Sequence, residues 1–155
     1  MHWVSPAVAL SAVLFTGPVS ASPPPDFSGT WTLVSAVPGP PTGPLGRGGT
    51  IAQDASSVTF TASGQSASYR LDKPETQTER TTVRGETWTL TSQVRWVEHA
   101  LLVITTTRSP IGTWQDLATY ALDGHGNLTV VVLATPKSES DEPAMITTVM
   151  TYRRS

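Results

Sequence analysis

Cysteine is absent from this sequence of 155 residues, and its absence excludes several chemistries at once. Disulfides, thiolate zinc sites, iron–sulfur clusters and redox-active thiols all require cysteine side chains. Histidine is also scarce: the chain has three, and none has another His or an Asp two or four residues further on, as metal-binding motifs do. We therefore expect no metal and no other cofactor.

Charged side chains are equally sparse. They make up 14% of the chain, with 10 Lys plus Arg against 12 Asp plus Glu and a net charge of -2, whereas an average globular protein has roughly 25%. A nucleic-acid-binding protein draws most of its affinity from clustered Lys and Arg along phosphates. The composition therefore argues against a nucleic-acid partner. Threonine is abundant instead, which favours strands over helices.

The chain begins with a largely apolar segment that is typical of a secretory signal. Its apolar core, Ala7 to Phe15, is too short to span a bilayer, and Val19 and Ala21 supply the small residues expected before a cleavage site. We expect residues 1–21 to be a signal peptide that is cleaved after Ala21, with an uncleaved anchor as the alternative. The mature protein would then be secreted or periplasmic, with no integral membrane span.

The rest of the chain is expected to form a single domain. Residues 22–28 are a Pro-rich segment, and residues 29–155 carry the strand patterns described below. An exported chain of this size without cysteine favours a bacterial source, because small secreted eukaryotic domains usually contain disulfides.

Alternation of apolar and polar side chains predicts a series of antiparallel strands. It is clearest over Thr87 to Val97, where Trp88, Leu90, Val94 and Trp96 share one face. Weaker or shorter alternating segments follow the same pattern, and they are predicted as strands over residues 50–54, 57–62, 65–71, 100–108, 114–122, 128–134 and 145–153. No sustained helical periodicity occurs outside the signal.

The first strand and the longer connections complete the predicted order. Thr30 to Ala36 places Trp31, Leu33 and Ser35 on one face. Pro38 to Gly49 is a long Pro- and Gly-rich loop. The polar segment Asp72 to Gly85 is predicted as a connection, with one edge strand near Thr81 to Arg84 as the alternative.

Eight or nine antiparallel strands joined by short hairpins form a meander, which can close into an up-and-down β-barrel. At about eight strands the interior is filled by side chains or holds one small ligand. We therefore predict an all-β fold.

The residues Asp26-Phe27-Ser28-Gly29-Thr30-Trp31 resemble the Gly-x-Trp motif of lipocalins and related calycin barrels. In those families the Trp of the first strand plugs the closed end of the barrel, and an Arg from the end of the chain stacks on it. The resemblance implies that Gly29 and Trp31 close this barrel together with Arg153 or Arg154. Because adjacent residues of a strand point to opposite faces, the sequence leaves both arginines open.

Four segments in order also resemble small exported bacterial proteins with a lipocalin-like fold and no assigned activity. They are Phe27 to Trp31, Trp96 to Ile104, Tyr120 to Val130 and Thr148 to Tyr152. This resemblance implies a lipocalin-like barrel, and it implies that the Pro-Gly loop crosses the open end.

No set of residues forms a recognisable catalytic motif. Ser56, His99 and Asp116 contain the side chains of a Ser-His-Asp triad, but the Gly-x-Ser-x-Gly motif of a nucleophile elbow is missing. His99 and His125 fall in predicted hairpin turns. We therefore predict no catalytic residues and expect a protein that is not an enzyme.

The aromatic residues are the feature with a plausible function. They share faces with Leu and Val, as either a packed core or the wall of an apolar pocket requires. The candidate ligand-binding residues of the barrel interior are Trp88, Leu90, Trp96, Leu101, Val103, Trp114 and Tyr120. The favoured function is binding of a small hydrophobic or amphipathic ligand. The alternative is a filled barrel that acts as a structural or interaction module of the cell envelope.

Overall fold

A computed structural model describes residues 22–72, 77–135 and 146–155, without the side chains of residues 77–79, 81 and 83. The predicted signal segment lies outside these residues. All regular elements in the described part are β-strands, numbered in chain order: β1 Gly29–Val37, β2 Gly48–Gln53, β3 Ser57–Ala62, β4 Gln65–Arg70, β5 Gln77–Val83, β6 Glu86–Val97, β7 Ala100–Ser109, β8 Gly112–Leu122, β9 Leu128–Ala134 and β10 Ile146–Arg154. The described residues contain no helix long and apolar enough to cross a membrane.

The ten strands form one antiparallel sheet in the order β4-β3-β2-β1-β10-β9-β8-β7-β6-β5. Each strand pairs with its neighbour in sequence, except that β1 pairs with β10 and β4 does not pair with β5. The sheet therefore curls into a nearly closed up-and-down barrel with a seam between β4 and β5. The predicted all-β, antiparallel barrel is confirmed.

Tight turns account for the sequential pairing. Two hairpins turn through Ser63-Gly64 and Arg84-Gly85, where both residues have positive φ: 51° and 77° in the first, 52° and 81° in the second. Type I′ turns need positive φ at both central positions, and their twist matches that of the flanking strands. Glycine at the second position meets this requirement without steric cost.

The polar segment after Asp72 contributes more to the sheet than its composition suggests. Its residues Gln77–Val83 form β5, which pairs along its whole length with β6. Because β5 is the last strand of the sheet order, its low apolar content suits a strand at an edge. The sheet thereby reaches ten strands, where eight or nine were expected.

A β-bulge in β1 changes which side chains face the interior. The register with β10 shifts between Leu33 and Ser35, so that Ala36 pairs with Met150 and packs against the core while Ser35 is exposed. The prediction that Ser35 shares a face with Trp31 and Leu33 was wrong, because the extra residue of a bulge reverses the alternation beyond it.

Hydroxyl groups cover much of the outer surface. Thr59 and Ser68 lie opposite each other on β3 and β4 with their oxygens 2.9 Å apart, and Thr61 and Ser66 repeat this contact at 2.9 Å. Such cross-strand pairs stabilise a sheet without charge. They explain how a chain so poor in Lys and Glu presents a polar exterior.

The close approach of β1, β2 and β3 yields a first prediction. A Cβ atom on Gly49 would collide with the backbone oxygen of Thr61 and lie 3.0 Å from the Cβ of Ala62. We expect Gly49→Ala to lower the free energy of unfolding by about 2 kcal/mol or more, as overpacking does. Urea unfolding measures it.

The matched control is Gly124→Ala, because a Cβ on Gly124 meets no heavy atom within 4 Å. This variant should remain within about 0.5 kcal/mol of the wild type. Equal effects of the two substitutions would contradict the described packing of β2 between its neighbours.

Candidate functional site

One end of the barrel is closed by the residues that precede and begin β1. Phe27 is fully buried, its ring lies 5.5 Å from that of Trp96, and its carbonyl oxygen accepts a 2.8 Å hydrogen bond from Trp31 Nε1. The Gln53 side chain holds the same segment: its Oε1 accepts from Phe27 N at 3.1 Å, and its Nε2 donates to the Pro25 oxygen at 2.9 Å. The closed end is therefore a plug of aromatic side chains, and the polar groups named here are hydrogen-bonded.

An arginine covers the plug from outside, and the structure distinguishes between the two candidates. The guanidinium carbon of Arg154 lies 4.9 Å from the centre of the Trp31 ring, and Arg154 Nη2 donates a 3.1 Å hydrogen bond to the backbone oxygen of Asp26. Arg153 pairs with Thr32 on the exposed face of β1. Gly29 lies beside the arginine: a Cβ there would make an ordinary contact with Arg154 Nε at 3.4 Å, but the φ of 139° at this position is one that favours glycine.

The Pro-Gly loop between β1 and β2 folds into the barrel. Leu45 is 2% exposed, and the Gly46 oxygen accepts a 2.9 Å hydrogen bond from the Tyr152 hydroxyl. The backbone nitrogen of Thr42 lies 3.3 Å from the sulfur of Met150. The loop is thus anchored on inward-facing side chains of β10, and its residues contribute to the interior.

Next to the Pro-Gly loop, the interior of the barrel contains a cavity. A cavity of about 390 Å³ is bounded on one side by Val103, Ala118, Tyr120 and Val132, which lie side by side on β7, β8 and β9. Thr42, Gly43 and Pro44 of the loop form another part of its wall. Its volume lies within the roughly 300–1,000 Å³ typical of ligand pockets.

The wall becomes more polar toward the other end of the barrel. Thr105, Thr107 and Asp116 line this part, with Thr148 on β10. Ile146 also lines the cavity and is 53% exposed, so the cavity reaches solvent beside it. The site is therefore apolar in its depth and hydroxyl- and carboxylate-bearing near its mouth.

The predicted interior residues divide among three places. Leu90, Val103 and Tyr120 line the cavity. Trp96 and Leu101 pack at the closed end. Trp88 and Trp114 form an edge-to-face pair, with ring centres 5.3 Å apart; Trp114 pairs with Thr107, so this pair lies near the mouth. Their role in ligand binding remains a prediction.

Asp116 is one of the twelve lining residues of the cavity that the sequence did not identify as site residues. It is half-buried, pairs with Thr105 and Ala134, and lines the cavity. The signal was available: Asp116 lies midway between Trp114 and Ala118, so strict alternation places it on their inward face. Acidic side chains usually face solvent, so the sequence alone did not assign Asp116 to the inward face.

The Ser-His-Asp combination is not assembled. His99 lies in the turn before β7, at least five residues along that strand from the position opposite Asp116, which is about 17 Å in an extended strand. Ser56 Oγ donates to Asp54 Oδ1 at 2.8 Å and so belongs to the turn before β3. In the described ranges no group of three His, Asp or Glu side chains could hold a metal ion. His99 and His125 are exposed turn residues, as predicted.

Two buried tyrosines have strongly raised pKa values. Burial raises the pKa of Tyr152 to about 12, and burial with the neighbouring Tyr69 and Tyr152 raises that of Tyr120 further. Both phenols therefore stay protonated over the ordinary pH range. Tyr152 can then donate its proton to the Gly46 oxygen, which holds the loop in place.

No protein-family model matches the chain, and no curated protein matches it. A function can therefore be inferred only from the site itself.

The contact between Arg154 and Trp31 predicts an asymmetric effect of the two arginines. Arg154→Ala should lower the free energy of unfolding by about 1 kcal/mol, because it removes a cation–π contact and a hydrogen bond. Arg153→Ala, the matched control, should change it by less than about 0.5 kcal/mol. Denaturant unfolding followed by tryptophan fluorescence measures both. A larger loss for Arg153→Ala would contradict the assignment.

The raised pKa of Tyr152 predicts a loss of stability at alkaline pH. Above the ordinary pKa of 10.0 the unfolded chain releases this proton, whereas the folded protein keeps it up to about 12. Stability therefore falls with rising pH in this window, by about 1.4 kcal/mol per pH unit for one such group.

Tyr152→Phe removes this titration. Its free energy of unfolding should fall less steeply between pH 10 and 12 than that of the wild type, by about 1.4 kcal/mol per pH unit. Urea unfolding of both proteins at a series of pH values measures the difference. Equal slopes would show that Tyr152 is not held protonated in the fold.

Proposed function

We propose that this protein is an exported, lipocalin-like barrel that binds a small apolar or amphipathic molecule in its interior. The observation that carries the proposal is the cavity of about 390 Å³ above the loop. Its depth is apolar, its mouth carries a few polar groups, and it reaches solvent beside Ile146. A largely apolar wall with a small number of polar groups is typical of sites for small ligands.

The closed end supports the lipocalin-like assignment. Trp31 plugs the barrel, Arg154 covers its ring at 4.9 Å, and Gly29 lies beside the arginine. This is the arrangement that the resemblance of the Gly-x-Trp segment implies. It leaves the opposite end of the barrel for a ligand.

Export follows from the apolar first segment. Residues 1–21 have the length and the small residues before position 22 of a cleaved signal. A surface of threonine and serine hydroxyls with few charges suits a barrel that carries its ligand in an aqueous compartment outside the cytoplasm. The compartment itself is part of the proposal.

An interaction module of the cell envelope is the second candidate function, and one observation favours it. Val37 and Val149 lie opposite each other on β1 and β10 and are 64% and 41% exposed, and Val34 nearby is 55% exposed. Exposed apolar side chains grouped in this way are found at protein interfaces. In this alternative the outer surface binds, and the cavity has no ligand.

Binding of a neutral fluorescent probe distinguishes the two candidate functions. N-phenyl-1-naphthylamine should bind the mature protein saturably with enhanced emission. Ala118→Phe fills the cavity between Val103 and Val132, and we expect it to weaken probe binding about tenfold or more, since the apolar area available to the probe is lost. The measurement is a fluorescence titration.

Ala121→Phe is the matched control, because Ala121 lies on the outer face of the same strand, next to Tyr120. It should bind the probe as the wild type does. Ala134→Leu, at the mouth, provides a second cavity variant if Ala118→Phe does not fold. Unsaturable binding, or equal weakening by the inner and outer substitutions, would contradict ligand binding in the cavity.

A further inference from the structure

The Tyr120 side chain crosses the interior of the barrel and ends beside the Pro-Gly loop. Tyr120 lies on β8 between Leu101 of β7 and Val130 of β9, which are both buried. The centre of its ring lies 4.9 Å from that of Phe60 on β3, a strand that is not a neighbour of β8 in the sheet. A Cβ atom on Gly43 of the loop would be 3.9 Å from the Tyr120 hydroxyl oxygen. The hydroxyl therefore lies where the loop meets the apolar depth of the cavity.

This hydroxyl is a buried donor without a partner in the described parts of the chain. Tyr120 is 1% exposed, and no hydrogen bond among the described residues involves its hydroxyl. The buried Tyr152 differs, because its hydroxyl donates to the Gly46 oxygen at 2.9 Å. Burial raises the pKa of Tyr120, so the phenol keeps the proton that it can donate. Because Tyr120 and Gly43 both line the cavity, a bound molecule can reach this hydroxyl.

A donor in this position favours a ligand with a hydrogen-bond acceptor at its buried end. A polar group that is buried without a partner costs free energy, and a ligand oxygen that accepts its proton removes this cost. A hydrocarbon would cover the hydroxyl and leave it unpaired. A site with a buried polar group therefore discriminates between two ligands when only one of them can satisfy that group.

The acceptor is expected to be neutral. None of the described residues that line the cavity is Lys, Arg or His. A carboxylate at the depth of Tyr120 would lose its hydration without gaining a positively charged partner among these residues, which is costly. A carbonyl oxygen accepts a hydrogen bond without this cost.

We propose that the ligand is an apolar molecule with a neutral carbonyl group, a ketone or an ester, whose oxygen accepts a hydrogen bond from the Tyr120 hydroxyl. The apolar remainder of the molecule lies along Val103, Ala118 and Val132 toward the mouth. The proposal rests on ligand binding in the cavity and adds the chemical group that the deep end of the cavity recognises.

Three ligands with the same ring system test the proposal: 2-acetylnaphthalene, 2-naphthoate and 2-isopropenylnaphthalene, which has a CH₂ group in place of the carbonyl oxygen. Displacement of N-phenyl-1-naphthylamine from residues 22–155 gives their affinities. Tyr120→Phe should weaken binding of the ketone about fivefold or more, as the loss of one hydrogen bond allows, and should change binding of the hydrocarbon by less than about twofold. The wild type should bind 2-naphthoate more weakly than the ketone.

Thr119→Val is the matched control, because Thr119 is the neighbour of Tyr120 on β8 and lies on the outer face of that strand. This variant also loses one hydroxyl, and it should bind all three ligands as the wild type does.

Two further measurements do not depend on displacement. Tyr120→Phe should not lower the urea midpoint of the ligand-free protein, whereas Tyr152→Phe should lower it, because the second variant loses the hydrogen bond to Gly46. A midpoint that falls equally in both variants would overturn the unpaired hydroxyl. Carbon-13 NMR of 2-acetylnaphthalene labelled at its carbonyl carbon tests the wild type directly, since this resonance moves to higher chemical shift when the oxygen accepts a hydrogen bond. A bound resonance at its position in a hydrocarbon solvent would overturn the contact.

The outcomes separate this proposal from the one on which it rests. Saturable binding in which Tyr120→Phe affects the ketone and the hydrocarbon equally overturns the carbonyl contact and leaves the cavity as a binding site. Equal weakening of the ketone by Thr119→Val and Tyr120→Phe overturns the role of Tyr120. Binding of 2-naphthoate as tight as that of the ketone overturns the neutral acceptor. Absence of saturable binding of the probe and of every ligand overturns the binding function itself.

Discussion

The ladder between the first and last strands is the contact on which the rest of the structure depends. The other paired strands are neighbours in sequence and β4 does not pair with β5, so the hairpins alone would leave two separate sheets, β1–β4 and β5–β10. Pairing of β1 with β10 joins the two halves of the meander and brings Trp31 opposite Arg154. Its bulge turns Ala36 inward. The barrel, its plug and its cavity are all consequences of this ladder.

A cylinder of ten strands is wider than its side chains alone can fill. At the closed end the width is taken up by Phe27, Trp31 and Trp96, and in the middle by the loop residue Leu45. Toward the mouth the inward residues are smaller, including Ala118, Thr105 and Thr148, and a space remains. The cavity thus arises from the distribution of side-chain size along the barrel axis. Bound ligand would replace contacts that the wall otherwise lacks.

The sequence predicted the parts of the fold that depend on local pattern. Alternation from Trp88 to Trp96 located β6, and the short turns indicated a meander. It did not predict the bulge at Ser35, because a bulge depends on the partner strand. It did not predict the full length of β5, because the polar residues of this strand show little alternation. It also did not distinguish Arg153 from Arg154, because that choice depends on the pairing of β10 with β1.

Less of the site than of the fold was predictable, because the site depends on contacts between strands that are distant in sequence. Leu90, Val103 and Tyr120 were identified from alternation, but which inward residues line a space and which pack depends on contacts across the barrel. The position of Asp116 in β8 predicts an inward side chain, whereas its charge is typical of an outward one. Hydrophobicity alone therefore did not assign Asp116 to the interior.

A methyl-resonance NMR titration of residues 22–155 tests the central claim most directly. The account predicts that N-phenyl-1-naphthylamine saturably shifts the methyl signals of Val103, Ala118 and Val132, which line the cavity. The signals of Leu101 and Leu128, both fully buried in the packed core, should change little. Shifts confined to the exposed Val34, Val37 and Val149, or no saturable shift at all, would contradict a ligand in the barrel interior.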